Sequence, residues 1–281
     1  MLRNLVYNCA PLESGAEVWR DNLRWLRRYM DAFNNRRLMV VRTGEGLESA
    51  DAVKAEFGVR DVEYIELPNH PGQHEAAGFI DILSMLKSSN PDEAIFYAHD
   101  KGVTHPQRRE EIESYPCESF EHHMIALRQL RNRMYHECLH DVGKIESILT
   151  KYAACGSFWG KPSEKMLGSM SSVGLPVPEN VWMFSGSFYW VNSARLFSHP
   201  NWTHVVPHRI GPEIYLAGMF SRQEVFELLP LPTHFRLTWD VIGNYSCETC
   251  GEFNTIVSKR ARCPKCKKPV GGYVAIPSMF P

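Results

Sequence analysis

Four residues of different chemistry follow one another directly after an apolar run in the segment IFYAHDKGVTHP. His99 and Lys101 can carry positive charge, Asp100 can hold a divalent ion or accept a proton, and Gly102 permits a tight turn. Such a set could neutralise a diphosphate leaving group, either through a metal held by Asp100 or directly through the basic side chains. Asp-Lys-Gly also suits an ordinary surface turn, so this segment alone leaves both interpretations open.

Two later segments contain further residues that could bind a sugar or move a proton. In FSGSFYWVNSARL, Gly186 and Ser187 precede aromatic residues that include Trp190, and small residues let the backbone approach a sugar on which rings stack. In GPEIYLAGMF, Pro212 favours a helix start. Glu213 follows it as a candidate base or an acceptor for sugar hydroxyls. The alternatives are a core strand and dipole compensation at a helix start.

A His-Glu-x-x-His pattern ending at His140 has the spacing of a zinc metalloprotease, with Glu146 where a third ligand would lie. An apolar stripe continues through Gly143, which predicts one helix from about residue 119 to 151. On a continuous helix, Glu146 would lie about 9 Å along the axis from His140 and face another way. We therefore expect His136 and His140 on a polar helix face, with the metalloprotease kept as an alternative.

Two Cys-x-x-Cys pairs near the carboxyl terminus, CETC and CPKC, are separated by twelve residues. This spacing is typical of a tetrahedral four-thiolate zinc site, which has no open position and is therefore structural. The overlapping segment SKRARCPKCKK is strongly basic and could touch phosphates, so a non-catalytic nucleic-acid-binding protein is a second alternative. The predicted zinc ligands are Cys247, Cys250, Cys263 and Cys266.

The composition excludes several classes of protein. With 44% hydrophobic and 22% charged residues, the 281-residue chain has an ordinary globular balance. A net charge of −1 argues against a basic field over the whole surface. No apolar run is long enough to span a bilayer, no cleavable amino-terminal segment is recognisable, and the cysteines do not form a secreted disulfide framework. We expect a cytoplasmic protein.

Strand and helix patterns alternate over the first hundred residues and indicate how the reactive groups would be positioned. Predicted strands cover residues 5–10, 37–41, 62–67 and 94–98, and predicted helices cover 19–33, 50–57 and 72–87. This βαβαβαβ order predicts a mostly parallel sheet with helices on both faces. Ligands of such sheets bind beyond the carboxyl ends of the strands, where Asn8, Ala10 and the residues from His99 to Gly102 lie.

The ordered motifs HDKG, SGSFYWVN and PEIYLAG resemble those of a sparsely characterised group of GT-A-type glycosyltransferases from bacteria and viruses. In that group, His-Thr-Lys-Gly follows a strand, Gly-Asn-Phe-Trp-Trp comes later, and a Glu precedes an aromatic residue further on. The resemblance extends from about Leu5 to Phe220. It implies a GT-A-like Rossmann-type fold and transfer of a sugar, with a UDP-sugar as the expected donor, to an acceptor hydroxyl of a glycan, a protein or a modified DNA base.

The resemblance also implies roles for individual residues. PGQHEAAGF resembles the family's Gly-Glu helix start, which puts Gly72 and Glu75 near the donor. Glu213 would be the catalytic base, with Asp100 as its rival. The other donor-binding residues His99, Asp100, Lys101 and Gly102 would lie near the diphosphate, and Gly186, Ser187 and Trp190 would line the sugar and acceptor cleft. Asn8 and Ala10 would bind the donor near its nucleotide base, because they lie at the end of the first strand.

The chain departs from the family pattern at three points. Asp100 stands where Thr is expected, Ser187 stands where Asn is expected, and no Asp-x-Asp follows the fourth strand. A manganese or magnesium ion at Asp100 would therefore need a later histidine, His208 or His234, unless Lys101 replaces its charge. We expect a glycosyltransferase domain at residues 1–242 and an added zinc ribbon at 243–281, in the cytoplasm, or in the host cytoplasm if the chain is viral.

Overall fold

The structure, a computed structural model, describes residues 1–113, 120–157, 159–160, 162, 167, 182–184 and 186–229, together with the backbone of 243–246 and 253–256. The chain divides into two compact units. The first comprises Met1–Thr104 and Met134–Pro230, and the second comprises His105–Arg133 and Leu231–Pro281. The four predicted zinc ligands and His234 lie outside the described residues, and the division at residue 242 stays a prediction.

A seven-stranded mixed sheet forms the centre of the first unit. The strands of this unit are β1 (Leu2–Cys9), β2 (Arg37–Thr43), β3 (Glu63–Pro68), β4 (Glu93–His99), β5 (Ala154–Gly156), β6 (Trp159–Gly160), β7 (Met183–Phe184), β8 (Tyr189–Asn192) and β9 (Val225–Glu227). The large sheet has the order β3-β2-β1-β4-β8-β5-β9, and β6 pairs separately with β7. The four neighbouring strands β3, β2, β1 and β4 are parallel, whereas β8 is antiparallel to both of its neighbours, β4 and β5.

Helices connect these strands. They are α1 (Ala16–Arg27), α2 (Ala50–Phe57), α3 (Phe79–Ser84), α4 (Arg109–Glu113), α5 (Phe120–Leu139), α6 (Val142–Leu149), α7 (Ser193–Ser198) and α8 (Gly211–Ile214). No helix among the residues that the structure describes is long and apolar enough to cross a membrane. In the second unit, the backbone of β10 (Gly243–Ser246) pairs antiparallel with β11 (Phe253–Ile256).

The core lies on both faces of the sheet because successive strand residues point to opposite sides. On one face, Ile95 and Tyr97 of β4 belong to an apolar cluster with Phe79 of α3. On the other face, Phe96 lies against Phe33 and Trp190, with ring centroids 5.8 and 5.1 Å away. A strand buried on both faces needs a continuous apolar run, which the sequence of β4 supplies. The predicted α/β architecture with a mostly parallel sheet is confirmed.

The predicted α2 also has both of its predicted ends. The Ser49 hydroxyl accepts a hydrogen bond from the Ala52 N–H at 3.2 Å, which satisfies one free donor of the first turn. Gly58 ends the helix in the left-handed region at φ 59°, where a residue without a Cβ has no steric cost. Local chemistry is therefore enough to define this element.

Three predicted helices are wrong in their extent. The helix expected from 19 to 33 begins at Ala16 and ends at Arg27, and a separate 3-10 turn follows at Met30–Ala32. The helix expected from 119 to 151 breaks after Leu139, and α6 begins at Val142 because the Asp141 carboxylate caps the Lys144 N–H at 2.9 Å. The helix expected from 72 to 87 is a 3-10 turn at His74–Ala76 followed by α3. Gly78 separates the two pieces at φ 72°, a conformation that a helix interior cannot contain.

Candidate functional site

The carboxyl end of β4 leads directly into a buried carboxyl group. Asp100 is only 6% exposed, and its Oδ2 accepts a hydrogen bond from the backbone N–H of Ala10 at 2.7 Å. Burial raises the pKa of Asp100 to about 8, although the charge of His99 and the Ala10 N–H favour the ionised form. The group is therefore mainly protonated at pH 7.

His99 and Glu75 form a hydrogen-bonded pair beside this carboxyl group. The His99 Nδ1 lies against a carboxylate oxygen of Glu75. Burial disfavours the charged ring, but the charge and hydrogen bond of Glu75 outweigh it and raise the pKa of His99. The other ring nitrogen, Nε2, is buried and has no hydrogen-bond partner among the described residues. The pair thus holds a proton at a fixed place at the end of β4.

Lys101 brings a second positive charge to Glu213. Its Nζ lies 3.9 Å from Glu213 Oε1, which also accepts a hydrogen bond from the Gly186 N–H at 3.3 Å. A Cβ on Gly186 would stand 3.2 Å from Lys101 Cε and 2.7 Å from Met134 Cε, and φ here is 83°. Position 186 therefore requires glycine, and the backbone packs directly on the lysine side chain.

The sheet topology explains why these distant segments meet. Because β8 is antiparallel to β4, its first residue, Tyr189, pairs with Tyr97 near the last residues of β4. The turn at Gly186, which precedes β8, therefore lies at the edge of the sheet where β4 ends at His99. The Tyr189 hydroxyl donates to the carbonyl of Pro212 at 3.3 Å, and Pro212 lies in the first turn of α8, so Glu213 is held at the same edge.

Helix α1 packs against the backbone of residues 101–103, which follow β4. The Asn22 side-chain amide donates to the Lys101 carbonyl at 3.3 Å and to the Val18 carbonyl at 2.8 Å. At the start of the helix, a Cβ on Gly15 would stand 2.3 Å from the Val103 carbonyl oxygen. The backbone of residues 101–103 therefore packs against α1 with no room for a Cβ at Gly15.

Arg42 is a site residue that sequence reasoning missed. Its guanidinium is 2% exposed and donates to Asn8 Oδ1 at 3.1 Å, to the Glu75 carbonyl at 3.2 Å and to the Ala77 carbonyl at 2.9 Å. It thereby fixes the loop that presents Glu75 to His99. A charged residue at the carboxyl end of the apolar run LMVV was the available signal.

The remaining predicted donor residues lie at the same edge of the sheet. Asn8 is buried at the end of β1, and Ala10 follows it with its N–H on Asp100. The Gly72 carbonyl accepts from the Arg209 N–H at 3.1 Å, and Gly102 turns the chain at φ 88°. The structure thus brings these backbone positions together with Glu75, His99 and Lys101, while the ligand they would bind stays a prediction.

Two residues expected in a sugar cleft lie in the interior instead. Trp190 is 0% exposed, its indole N–H donates to the Cys138 carbonyl at 2.7 Å, and its ring packs on Phe33. Ser187 is also fully buried, at φ 54°, and its hydroxyl has no hydrogen-bond partner among the described residues. Strand alternation turns the Trp190 ring into the core, so this ring is not available for stacking.

The His-Glu-x-x-His residues do not assemble a three-ligand site. The rings of His136 and His140 stack with centroids 4.4 Å apart. Glu146 lies beyond the helix break and pairs with Arg3. Across the described parts of the chain, no group of three or more His, Cys, Asp or Glu side chains could hold a metal ion, and this includes Asp100 and His208.

Comparisons with known proteins do not identify a family. No family model and no curated protein matches the sequence. A solved 4-diphosphocytidyl-2C-methyl-D-erythritol synthase is 12% identical with a TM-score of 0.37, covering 85% of this chain and 93% of its own. A 2-C-methyl-D-erythritol 4-phosphate cytidylyltransferase of Francisella tularensis is 9% identical with a TM-score of 0.32, covering 83% and 92%. These values are too low to support an argument.

Proposed function

We propose that the chain is a glycosyltransferase that moves a sugar from a nucleotide-sugar, with a UDP-sugar as the expected donor, to an acceptor hydroxyl of a glycan, a protein or a modified DNA base. The observation that carries the proposal is the contact between Lys101 and Glu213, 3.9 Å apart at the carboxyl edge of the sheet. It joins two motifs whose order in the chain resembles that of a glycosyltransferase family. A base beside a cation is what transfer from a diphosphate leaving group requires.

Glu213 is the better candidate for the base. Its carboxylate is partly exposed at the carboxyl edge of the sheet, held by Lys101 Nζ at 3.9 Å and by the Gly186 N–H at 3.3 Å. Asp100 is buried and mainly protonated at pH 7, so it suits hydrogen-bond donation better than proton abstraction. In this assignment Glu213 takes the proton of the acceptor hydroxyl, whose oxygen bonds to the anomeric carbon. The bond from that carbon to the diphosphate oxygen breaks, and the nucleoside diphosphate leaves with the bonding electrons.

The leaving diphosphate would meet the Lys101 ammonium, and the hydrogen-bonded pair of His99 and Glu75 lies close by in the chain. His99 is the last residue of β4 and Lys101 comes two residues later, so the sheet positions both side chains. A divalent ion at the site would add further charge neutralisation when bound. The protonated Asp100 carboxyl is a poor ligand for such an ion, and no step of the proposal requires one.

A binding and turnover comparison of Glu213→Gln with Glu17→Gln tests the proposal. Glu17 is exposed in the first turn of α1, so its substitution is a matched loss of one carboxylate. A thermal-shift screen of nucleotide-sugars, with and without manganese, first finds the donor. We expect Glu213→Gln to bind that donor but to lose about 100-fold or more in kcat, because general-base catalysis contributes about that factor.

The control should transfer sugar at the wild-type rate. If the wild-type chain binds no nucleotide-sugar, glycosyl transfer is the wrong function. If it binds one but Glu213→Gln turns over normally, the function stands and Glu213 is not its base.

A further inference from the structure

A second group of basic side chains lies next to the site but takes no part in the contacts described so far. Two loops carry it: one follows β3 and contains His74, and the other precedes α8 and contains His208 and Arg209. The loops are joined by the hydrogen bond from the Arg209 N–H to the Gly72 carbonyl at 3.1 Å. We call His74, His208 and Arg209 the basic cluster.

The members of the basic cluster are within electrostatic range of one another. Burial lowers the pKa of His74, the charge of Glu75 opposes this effect, and the charges of Arg209 and Arg42 lower the pKa further. Partial burial, Arg209 and His74 lower the pKa of His208. The lowered pKa values favour neutral imidazoles, each of which keeps one N–H donor, near the charged Arg209 guanidinium.

The nearby carboxylates are already engaged elsewhere. Glu75, which neighbours His74 in sequence, directs its carboxylate to His99, and Glu213 directs its carboxylate to Lys101 and Gly186. Within the described residues, no carboxylate forms a salt bridge with the Arg209 guanidinium, and the side chain is exposed. The positive charge of the Arg209 guanidinium is therefore open to an anion from solution, with the two imidazoles near it.

We propose that the basic cluster is a binding subsite for a phosphate or diphosphate group. The Arg209 guanidinium offers a planar fork of N–H donors that matches phosphate oxygens, and the two imidazoles can donate from either side. The link to sugar transfer rests on the proposed function, but the class of ligand rests on these side chains alone. Two sources share the chemistry: the diphosphate of a nucleotide-sugar and a phosphate carried by the acceptor.

The loop that carries His74 is fixed before any ligand arrives. Arg42 donates to the carbonyls of Glu75 and Ala77, on the chain just beyond His74, and Arg209 holds the carbonyl of Gly72 on the other side. His74 itself lies at φ 47°, in the left-handed region, where asparagine, aspartate and histidine are the non-glycine residues found most often. A site fixed in advance loses less conformational entropy when it binds a small anion.

Titration calorimetry with inorganic diphosphate and the full-length chain tests the subsite. The variants are Arg209→Gln and His74→Asn, in which asparagine tolerates the positive φ. The control is Arg60→Gln, an exposed arginine before the amino end of β3, at the opposite edge of the sheet. We expect Arg209→Gln to raise the Kd for diphosphate about tenfold, as the loss of one charge-assisted hydrogen bond does, and Arg60→Gln to leave it unchanged.

The same variants are then titrated with UDP-sugars to separate the two sources. If Arg209→Gln weakens UDP-sugar binding as well, the subsite holds the donor diphosphate. If UDP-sugar binding is unchanged while diphosphate binding is weakened, it holds a phosphate of the acceptor. Thermal unfolding of each variant shows whether it is folded, and His74→Asn provides the second measurement if Arg209→Gln is not.

The subsite would be wrong if the wild-type chain bound no diphosphate, or if Arg60→Gln weakened binding as much as Arg209→Gln. These outcomes differ from a failure of the proposed function. A chain that binds diphosphate through Arg209 but no nucleotide-sugar keeps the subsite and loses the glycosyltransferase. A chain that binds nucleotide-sugars, and whose binding of inorganic diphosphate is unchanged in both Arg209→Gln and His74→Asn, keeps the glycosyltransferase and loses the subsite.

Discussion

Asp100 directly follows β4, and its protonation state determines which interactions it can make. A buried carboxyl that keeps its proton at neutral pH donates a hydrogen bond, whereas an ionised one would attract a cation. Burial outweighs the neighbouring positive charge and the Ala10 N–H in this case. The consequence extends to stability, because a group with different pKa values in the folded and unfolded chain links folding to pH.

We predict that replacing Asp100 with Asn removes a pH dependence of stability. The pKa of Asp100 is about 8 in the folded chain against an ordinary value of 3.8. Between these values, the folded state keeps a proton that the unfolded state has lost, so raising the pH destabilises the wild type by up to about 1.4 kcal/mol per pH unit. Urea unfolding of both chains from pH 4 to 8 should show the advantage of the wild type shrinking as the pH rises.

Asp31→Asn is the control for this measurement. Asp31 is an exposed aspartate in the turn after α1, so its replacement should give a curve parallel to that of the wild type. Parallel curves for Asp100→Asn as well would mean that the carboxyl is already ionised in the folded chain.

Among the elements, the break between α5 and α6 has the clearest local cause. Asp141 stands at the amino end of α6 and satisfies the Lys144 N–H, one of the donors that the first turn of a helix leaves free. The break directs α6 to its own packing, where Ile145 and Leu149 are buried.

We predict that Asp141→Ala lowers the free energy of unfolding by about 1 kcal/mol, the usual cost of losing a helix cap. Equilibrium urea unfolding monitored by circular dichroism measures it. Ser147→Ala, at an exposed position in the middle of the same helix, should have little effect. Equal effects of the two substitutions would show that the cap does not stabilise α6.

Elements whose causes are local could be predicted from the sequence. The apolar run of β4 and the Ser49 and Gly58 ends of α2 carry their signals within a few residues. The break at Asp141 was missed because the apolar stripe continues in phase across it, which hides the end of one helix and the start of the next. The helix after β3 was predicted too long because Gly78 was not recognised as its interruption.

The candidate site was predictable only in part. Topology places His99 to Gly102 at the ligand edge of a parallel sheet, and this expectation requires no distant contact. The contacts of Arg42 with the loop of Glu75, and the burial of the Trp190 ring, depend on segments far apart in the chain. No pattern in a single sequence contains that information, so the sequence does not predict that Arg42 fixes the loop of Glu75.

At the scale of the whole molecule, the zinc ribbon stays a prediction that metal analysis can test. We expect one zinc ion per chain by elemental mass spectrometry, and its loss in Cys263→Ser, because four thiolates define the site. Cys117→Ser is the matched control, since Cys117 belongs to no Cys-x-x-Cys pair. Loss of zinc in His136→Ala, with zinc retained in Cys263→Ser, would move the metal to the His-Glu-x-x-His segment.

The pairing of β4 with β8, a strand that comes much later in the chain, also has a consequence during synthesis of the protein. Until Tyr189 to Asn192 have been synthesised, β4 has no strand partner on the side away from β1, and the backbone groups on that edge are unpaired. An unpaired apolar strand edge readily pairs with other chains. Nascent chains that stop before residue 189 are therefore the form of this protein most in need of a chaperone.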